Sequence, residues 1–470
     1  MKFYLNKISL FAIFIYIFST ISVFSANEGS RYAKNSVLSK GNWYKIKIES
    51  GTGFYKLTYD ELKKIGLSDP RNVQIYGYGG WVLDQRFSNP YIDDLPQVGI
   101  WMSNTKENFG SGDYILFYGR GDIKWNYESS RDEFVQTQNT YSFDSFYFVT
   151  ESTDTQLNLV KTETASPKGT QVVTSYQDYY LHEKELLNIA EMGRLFVGED
   201  FKVNSNQTFN ISLPGVVENT AKVSYSFVSR PVENMSSKVE FTFNNELKAT
   251  QSMKGGDHYA RATLVSGSFN QEKLSETNTL NIKYTQGSSA DKNVKLDYFR
   301  INYTRKLQPY GAVTSFRTTT LSSDVDFQIS NVTSSNAMVF DVTDPINPIK
   351  KEGTKSGTDY TFNTNNSSIK EFVLVDPSKT IPSPSLVGKI ANQDLHSLER
   401  ADMIIIVRPL LQSYAEELAK IHLDDSGLTS LIVTPEDIYN EFSSGKPDIS
   451  AYRRFVKMFY DRSTSDDEKP

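Results

Sequence analysis

The first pattern along the chain is the alternation of apolar and polar residues that is typical of half-buried β-strands. The run WYKIKIE, Trp43 to Glu49, alternates in this way before two glycines interrupt it. Further aromatic-rich runs bounded by Gly, Asn and Asp predict strands at Val73–Tyr78, Asp113–Tyr118 and Ser145–Thr150. A small β domain is therefore expected over residues 27–175.

One short helix interrupts these predicted strands. Thr58 and Glu61 have the spacing of a capping box, in which each residue satisfies a free N–H of the other at a helix start. The spacing predicts a helix over Tyr59–Ile65, which Gly66 closes.

The middle of the chain shows strand-like runs at intervals that are typical of a β-sandwich. Leucines spaced among Glu and Lys predict a linking helix over Tyr176–Met192. A sandwich or jelly roll is expected to complete residues 176–310. Its predicted strands are Gln207–Leu213, Ala221–Val228, Lys238–Phe243, His258–Val265, Asn278–Tyr284 and Val294–Tyr303.

The pattern changes from β to alternating β and α after residue 385. A third β segment with a Pro- and Ser-rich linker is expected over residues 311–385, including strands at Ala337–Val342 and Glu371–Val375. Residues 386–470 then predict the opening βαβα segment of a parallel α/β domain. The predicted elements are a strand covered on both faces at Asp402–Val407, a helix at Leu410–His422, a strand at Thr429–Val433, and a helix capped by Asp448 with an apolar face from Ile449 to Tyr460.

The N-terminus has the features of a secretory signal peptide over residues 1–26. Lys2 and Lys7 form a positive region, and Ile8–Phe18 is an apolar run too short to span a bilayer. The chain has no cysteine, which excludes disulfides and cysteine nucleophiles within these residues. Removing Lys2 and Lys7 leaves 48 basic against 56 acidic residues, a net charge of −8, so we expect no nucleic-acid partner.

Candidate chemical motifs are few. The glycine clusters Gly77–Gly80 and Gly119–Gly121 are interpreted as turns, because neither opens an apolar-faced helix. His182, His258, His396 and His422 lack metal-ligand spacing and are expected to be surface or packing residues. No Gly-x-Ser-x-Gly elbow is present. The acidic pairs Asp93–Asp94 and Asp424–Asp425 could bind a structural calcium ion through their carboxylate oxygens. We expect no other cofactor.

The last segment resembles the start of a gingipain-type, caspase-like cysteine peptidase domain of family C25. The matching residues are Asn392–His396, Ala401–Val407, and Ile438–Asp448 followed by Ala451 and Arg454. Earlier stretches are similar to the N-terminal region of PorU-type sortases of type IX secretion. These are Tyr76–Gly79, Gly112–Gly119, Phe340–Pro345 and Glu371–Pro377.

The resemblance implies a protein of the bacterial cell surface, associated with the outer membrane. Such a sortase removes the C-terminal signal of secreted cargo and attaches the cargo to anionic lipopolysaccharide through a thioester on a cysteine, assisted by a histidine. Its expected partners are the cargo C-terminal domains, the lipopolysaccharide and a PorV-type outer-membrane β-barrel. The family positions of both catalytic residues are expected beyond Pro470, so these 470 residues are expected to be inactive alone. The last 70 residues are expected to be only marginally ordered, because two parallel strands leave open edges and the apolar face of Ile449–Tyr460 is expected to be only partly buried.

Two alternatives stay open at this point. A non-catalytic surface adhesin or glycan-binding protein would use exposed aromatic side chains of the β domains, for example within Asn206–Tyr303. A gingipain-like endopeptidase would share the α/β segment without the sortase reaction. For Asn440–Gly445, we interpret the sequence as a structural loop between the second strand and the second helix, bordering a cleft.

Overall fold

The computed structural model of the protein describes residues 31–164, 169, 171–188, 193–217, 220–229, 237–253, 262–287, 294–400 and 402–470. The predicted signal peptide lies outside these residues. The described chain is built from paired sheets and ends in a short α/β segment. The prediction of a multidomain, mostly β protein with a βαβα opening at its C-terminus is confirmed.

The first part of the chain forms two sheets and one helix. Its strands are β1 (Trp43–Ile48), β2 (Gly53–Thr58), β3 (Val73–Tyr76), β4 (Gln97–Val98), β5 (Ile100–Met102), β6 (Tyr114–Gly119), β7 (Ile123–Glu128), β8 (Glu133–Gln138) and β9 (Ser145–Glu151). The helix α1 covers Tyr59–Ile65, and both hydrogen bonds of the predicted capping box are present. Side chains such as Ile46, Leu57 and Leu62 fill the core between the sheets.

The second part is a sandwich of two four-stranded antiparallel sheets. Two short strands, β10 (Lys161–Glu163) and β11 (Gln171–Val173), precede it. The sandwich strands are β12 (Ser175–Glu183), β13 (Asn206–Ser212), β14 (Ala221–Ser229), β15 (Lys238–Phe243), β16 (Glu246–Ser252), β17 (Thr263–Gln271), β18 (Thr277–Thr285) and β19 (Val294–Lys306). One sheet has the order β12-β19-β14-β17 and the other β13-β18-β15-β16. The run predicted from His258 falls partly outside the described residues.

The predicted linking helix over Tyr176–Met192 is wrong. Its first eight residues belong to strand β12, which pairs antiparallel with β19 along its whole length. Tyr176 and Asp178 alternate inward, and the aromatic side chains of this segment favour a pleated surface. The leucines that suggested a helical face, Leu186 and Leu187, are exposed. Residues 189–192 lie outside the described residues.

The third part packs two further sheets against the first. Its strands are β20 (Val313–Arg317), β21 (Ser322–Ile329), β22 (Met338–Asp341), β23 (Ile349–Lys351), β24 (Thr354–Ser356), β25 (Asp359–Asn366), β26 (Glu371–Val375) and β27 (Ser385–Ile390). Strands β10 and β11 complete these two sheets, while β27 pairs with β1 in the first sheet. A shared core, with Phe54 and Phe340 in contact, joins the first and third parts. The predicted domain boundaries stay predictions.

The C-terminal segment contains two parallel strands and three helices. These are β28 (Met403–Ile406), α2 (Gln412–Ser426), β29 (Ser430–Val433), α3 (Pro435–Phe442) and α4 (Ile449–Arg462). Asp448 caps α4 as predicted, by accepting a hydrogen bond from the Ser450 N–H. Strand β28 was expected to be covered on both faces, but its four residues are only partly buried and Ile406 is 36% exposed.

One further expectation about this segment needs correction. Asn440 to Phe442 form the last turn of helix α3, so only the residues after Phe442 form a loop. The apolar face of α4 is only partly buried, as expected: Phe455 and Phe459 are buried, whereas Ile449, Val456 and Tyr460 are 53%, 37% and 52% exposed. Within the described ranges, no helix is long and apolar enough to cross a membrane.

Candidate functional site

The C-terminal helices pack directly on the first β domain. One apolar core contains side chains from both, so helices α3 and α4 are buried by residues that precede them by about 300 positions or more. Its first-domain members are Tyr32, Leu38, Trp43, Tyr76, Tyr78, Leu83, Leu95 and Phe148, and its C-terminal members are Leu395, Val433, Ile438, Phe442, Ala451, Phe455, Met458 and Phe459. We call this contact the junction. Each buried phenylalanine there contributes roughly 1.5–3 kcal/mol by leaving water.

A histidine with two carboxylate partners lies inside the junction. His396 is fully buried; its Nδ1 lies 2.6 Å from Glu441 Oε2 and its Nε2 lies 3.1 Å from Asp93 Oδ1. Burial alone would lower the pKa of His396, but the hydrogen bonds and charges of Asp93 and Glu441 raise it to about 10. The imidazole is therefore a cation at neutral pH and forms a buried ion triad.

Glu441 also organises the backbone that carries His396. Its carboxylate accepts hydrogen bonds from the N–H groups of Leu395 and His396 and from the amide of Gln393. The ring of Phe442 stacks on the imidazole at 4.6 Å between centroids. These contacts bind the turn before strand β28 to the end of helix α3.

The residues that precede strand β1 also bind to the junction, next to His396. Asp94 accepts hydrogen bonds from the Ser36 hydroxyl and the Val37 N–H, at 2.9 and 2.7 Å. Burial raises the pKa of Asp94 to about 6, while the charge of His396 opposes that rise. At the other end of α4, Arg462 donates to the carbonyl oxygens of Ala33 and His396.

The loop after helix α3 fits against the glycine-rich turn after strand β3. Ser444 Oγ accepts a hydrogen bond from the Tyr78 N–H at 3.0 Å and donates one to the Phe146 carbonyl at 3.1 Å. A Cβ atom on Gly77 would lie 2.7 Å from Ser444 Oγ, too close for a methyl group. The first glycine cluster is therefore a turn, as interpreted, and its lack of side chains allows the loop to approach.

Lys45, which is partly buried, and Lys446, which is fully buried, flank this loop in different ways. Lys45 Nζ donates to the Gly445 carbonyl at 2.6 Å and to Asn440 Oδ1 at 3.1 Å. Lys446 Nζ is fully buried and lies 3.8 Å from Asp448 Oδ2, too far for a hydrogen bond. Burial lowers the pKa of each lysine to about 8.

The junction brings together His396 and the acidic pair Asp93–Asp94, which were interpreted independently from the sequence. His396 is a buried packing residue, within the expectation for the four histidines, and two carboxylates bind it in addition. Asp93 and Asp94, which left a calcium ion open, are instead bound by His396, Ser36 and backbone N–H groups. In the described part of the chain, no group of three or more His, Asp or Glu side chains is arranged to hold a metal. The calcium ion stays a prediction.

The other predicted positions lie apart from the junction. His182 pairs with Glu199 in the sandwich, His422 lies on helix α2, and His258 is outside the described residues. The expectation that the catalytic histidine and cysteine follow Pro470 stays a prediction. Chemically, the junction holds and orients the C-terminal segment by charge and packing.

Comparison with known proteins gives a family for the C-terminal segment. Residues 396–470 match Peptidase family C25. The crystal structure of dimeric latent PorU from Porphyromonas gingivalis superimposes with a TM-score of 0.79 at 27% sequence identity, over 92% of this chain and 40% of that chain. This chain thus resembles PorU along most of its own length. It spans well under half of the length of the PorU chain. No curated protein sequence matches this chain.

Two carbohydrate-binding modules show much weaker likeness. The C-terminal CBM6 of LamC from Zobellia galactanivorans matches with 14% identity and a TM-score of 0.17, over 27% of this chain and 98% of that chain. A family 35 module from Clostridium thermocellum matches with 10% identity and a TM-score of 0.19, over 27% and 95%. Scores of this size carry no argument about ligands.

Proposed function

We propose that this PorU-like chain, whose C-terminal residues match Peptidase family C25, is the N-terminal scaffold of a cell-surface cysteine peptidase that acts as a type IX sortase. In this role the three β parts support the opening strands and helices of the peptidase domain. The complete enzyme would remove the C-terminal signal of secreted cargo and attach the cargo to anionic lipopolysaccharide. A PorV-type outer-membrane barrel would be its partner.

The observation that carries the proposal is the joint match to family C25 and to PorU. The family match begins at His396, the residue that the junction buries between Asp93 and Glu441. The likeness to PorU extends through the β parts that contribute the other side of the junction. A scaffold role agrees with this arrangement, because one apolar core contains side chains of both the first domain and helices α3 and α4.

The experiment compares cargo processing in three strains of the source bacterium: the parent, a deletion of this gene, and the deletion complemented with the intact gene. Immunoblots and mass spectrometry of cargo termini report whether the C-terminal signal has been removed. We expect the deletion strain to accumulate cargo that retains its signal and lacks lipopolysaccharide, and complementation to reverse both.

A complemented strain with Glu441→Gln tests the scaffold role separately. The substitution removes one charge of the buried ion triad, so we expect lower protein levels and a partial processing defect. Normal cargo processing in the deletion strain would disprove the sortase proposal. Removal of the signal without attachment to lipopolysaccharide, in a strain that needs this gene for removal, would favour an endopeptidase instead.

A further inference from the structure

A groove of about 510 Å³ lies where the three β parts meet, away from the junction. The first domain contributes Trp81 and Trp125, the sandwich contributes Tyr179 and Arg305, and the third part contributes Arg317. Its volume falls within the range of small-molecule sites, roughly 300–1,000 Å³. We call it the aromatic groove.

Ring faces form one side of the aromatic groove. Trp125 stacks on Tyr179 with centroids 3.6 Å apart and an angle of 15° between the rings. This pair holds the indole at a fixed orientation while it remains partly exposed. The chain has four tryptophans, and two of them line this one groove. A rigid, half-exposed indole is a platform for an apolar face of a ligand.

The floor of the groove is polar and has no excess positive charge. Arg317 Nε donates to Glu371 Oε2 at 2.7 Å, and Arg305 donates to Asp178 Oδ2 at 2.7 Å. Arg317 is 1% exposed, so this charge is held inside the protein. With Asp122 also in the lining, three carboxylates face two arginines, which disfavours a phosphate or another anion.

The indole of Trp81 forms another part of the groove wall. It lies against the Arg120 guanidinium, whose carbon is 4.6 Å from the ring centroid, and this contact fixes the ring.

We propose that the aromatic groove binds a short, neutral saccharide. A pyranose ring has one face of C–H groups, which stacks on an indole, and a rim of hydroxyls, which both donate and accept hydrogen bonds. The ordered arginine and carboxylate pairs of the floor offer adjacent acceptors and donors for such hydroxyls. An acyl chain fits poorly, because it would leave two ion pairs desolvated without new hydrogen bonds. This inference is independent of the proposed sortase function.

The test uses the full chain with mannotriose, maltotriose and cellotriose as probes. Tryptophan fluorescence and calorimetry are measured up to about 10 mM, a range that detects binding free energies of only a few kcal/mol. We expect at least one trisaccharide to bind and to change the tryptophan emission. Trp125→Ala should weaken that binding at least about tenfold, because the stacking face is lost.

A second variant and a control keep the test decisive. Ser315→Trp fills the groove from strand β20 and leaves the aromatic wall in place, so it should abolish binding even where Trp125→Ala folds poorly. Trp101→Ala, outside the aromatic groove, should retain binding. Failure of all three probes to bind, or binding that survives both groove variants, would overturn the proposal.

Discussion

His396 Nδ1 lies 2.6 Å from Glu441 Oε2, and neither side chain has any solvent-exposed area. The two residues are 45 positions apart, and their contact ties the turn before β28 to the end of α3. Because Asp93 of the first domain binds the other ring nitrogen, the same imidazole also fixes the C-terminal segment to the β scaffold.

We predict that His396→Gln destabilises the junction. The substitution leaves Glu441 and Asp93 buried without a cationic partner, which costs roughly 3–5 kcal/mol. Thermal unfolding followed by circular dichroism should show a lower midpoint for this variant. His422→Gln, on helix α2, should leave the midpoint unchanged. Equal midpoints for His396→Gln and the parent would contradict the ion triad.

The stability difference between the parent protein and His396→Gln should depend on pH. The pKa of His396 is raised from 6.5 to about 10 in the folded protein, so its stabilising contribution is complete below pH 6.5 and is lost as pH rises through 10. The difference in unfolding midpoint between the parent and His396→Gln should therefore shrink between pH 6.5 and 10. A difference that grew over this range would mean that the imidazole is buried in its neutral form.

Lys45 and Lys446 should both stabilise the fold, for different reasons. Lys45→Met removes hydrogen bonds to Gly445 and Asn440 and should lower the free energy of unfolding by roughly 1.5–3 kcal/mol. Lys446→Met leaves the buried Asp448 carboxylate, 3.8 Å from the ammonium, without this cation and should lower the free energy of unfolding by roughly 3–5 kcal/mol. Urea unfolding of both variants measures this. Unchanged stability of Lys446→Met would show that the backbone hydrogen bonds to Asp448 suffice to hold its charge.

Gly77 should tolerate a methyl group less well than Gly112. Both glycines have positive φ, +131° and +93°, so alanine strains the backbone at both. Only at Gly77 does the added Cβ also meet Ser444 Oγ, whereas nothing lies within 4 Å at Gly112. Gly77→Ala should therefore cost roughly 1–3 kcal/mol more in urea unfolding than Gly112→Ala. Equal costs would mean that the loop can move away from the turn.

The capping box gives a local prediction with an internal control. Thr58 accepts a hydrogen bond from the Glu61 N–H, while Thr105 precedes a short 3₁₀ helix without a side-chain cap bond. Thr58→Ala should lower the free energy of unfolding by roughly 1 kcal/mol, and Thr105→Ala should have no measurable effect. The reverse order would contradict the role of the cap.

Much of the fold could be predicted because its signals are local. The capping box of α1, the Asp448 cap of α4 and the alternation of β1 each depend on residues a few positions apart. The incorrect helix prediction at Tyr176–Met192 has a local cause as well. The spacing of its leucines resembles a helical face, but pairing with strand β19 determines the conformation of this segment. That partner lies more than a hundred residues away, where no periodicity within the segment could indicate it.

The junction could be predicted only in part. The resemblance to family C25 pointed to both His396 and the stretch that contains Glu441, but their contact with each other had no signal in spacing. Asp93 lies 303 positions before His396, and an acidic pair in a loop suggested a cation site instead. The pair of carboxylates that makes this histidine a cation at neutral pH is a property of the assembled domains.

Strand β1 lies between strands β9 and β27, which are synthesised at very different times. Ile46 is opposite Tyr147 on one side, about 100 residues later, and opposite Leu386 on the other, about 340 residues later. Closing the longer loop costs more chain entropy, and until it closes one edge of β1 offers unpaired N–H and C=O groups to any passing strand. A chain that emerges from its N-terminus therefore carries this open edge until Ser385–Ile390 has been made, and the first domain becomes complete only as the segment that docks on it arrives.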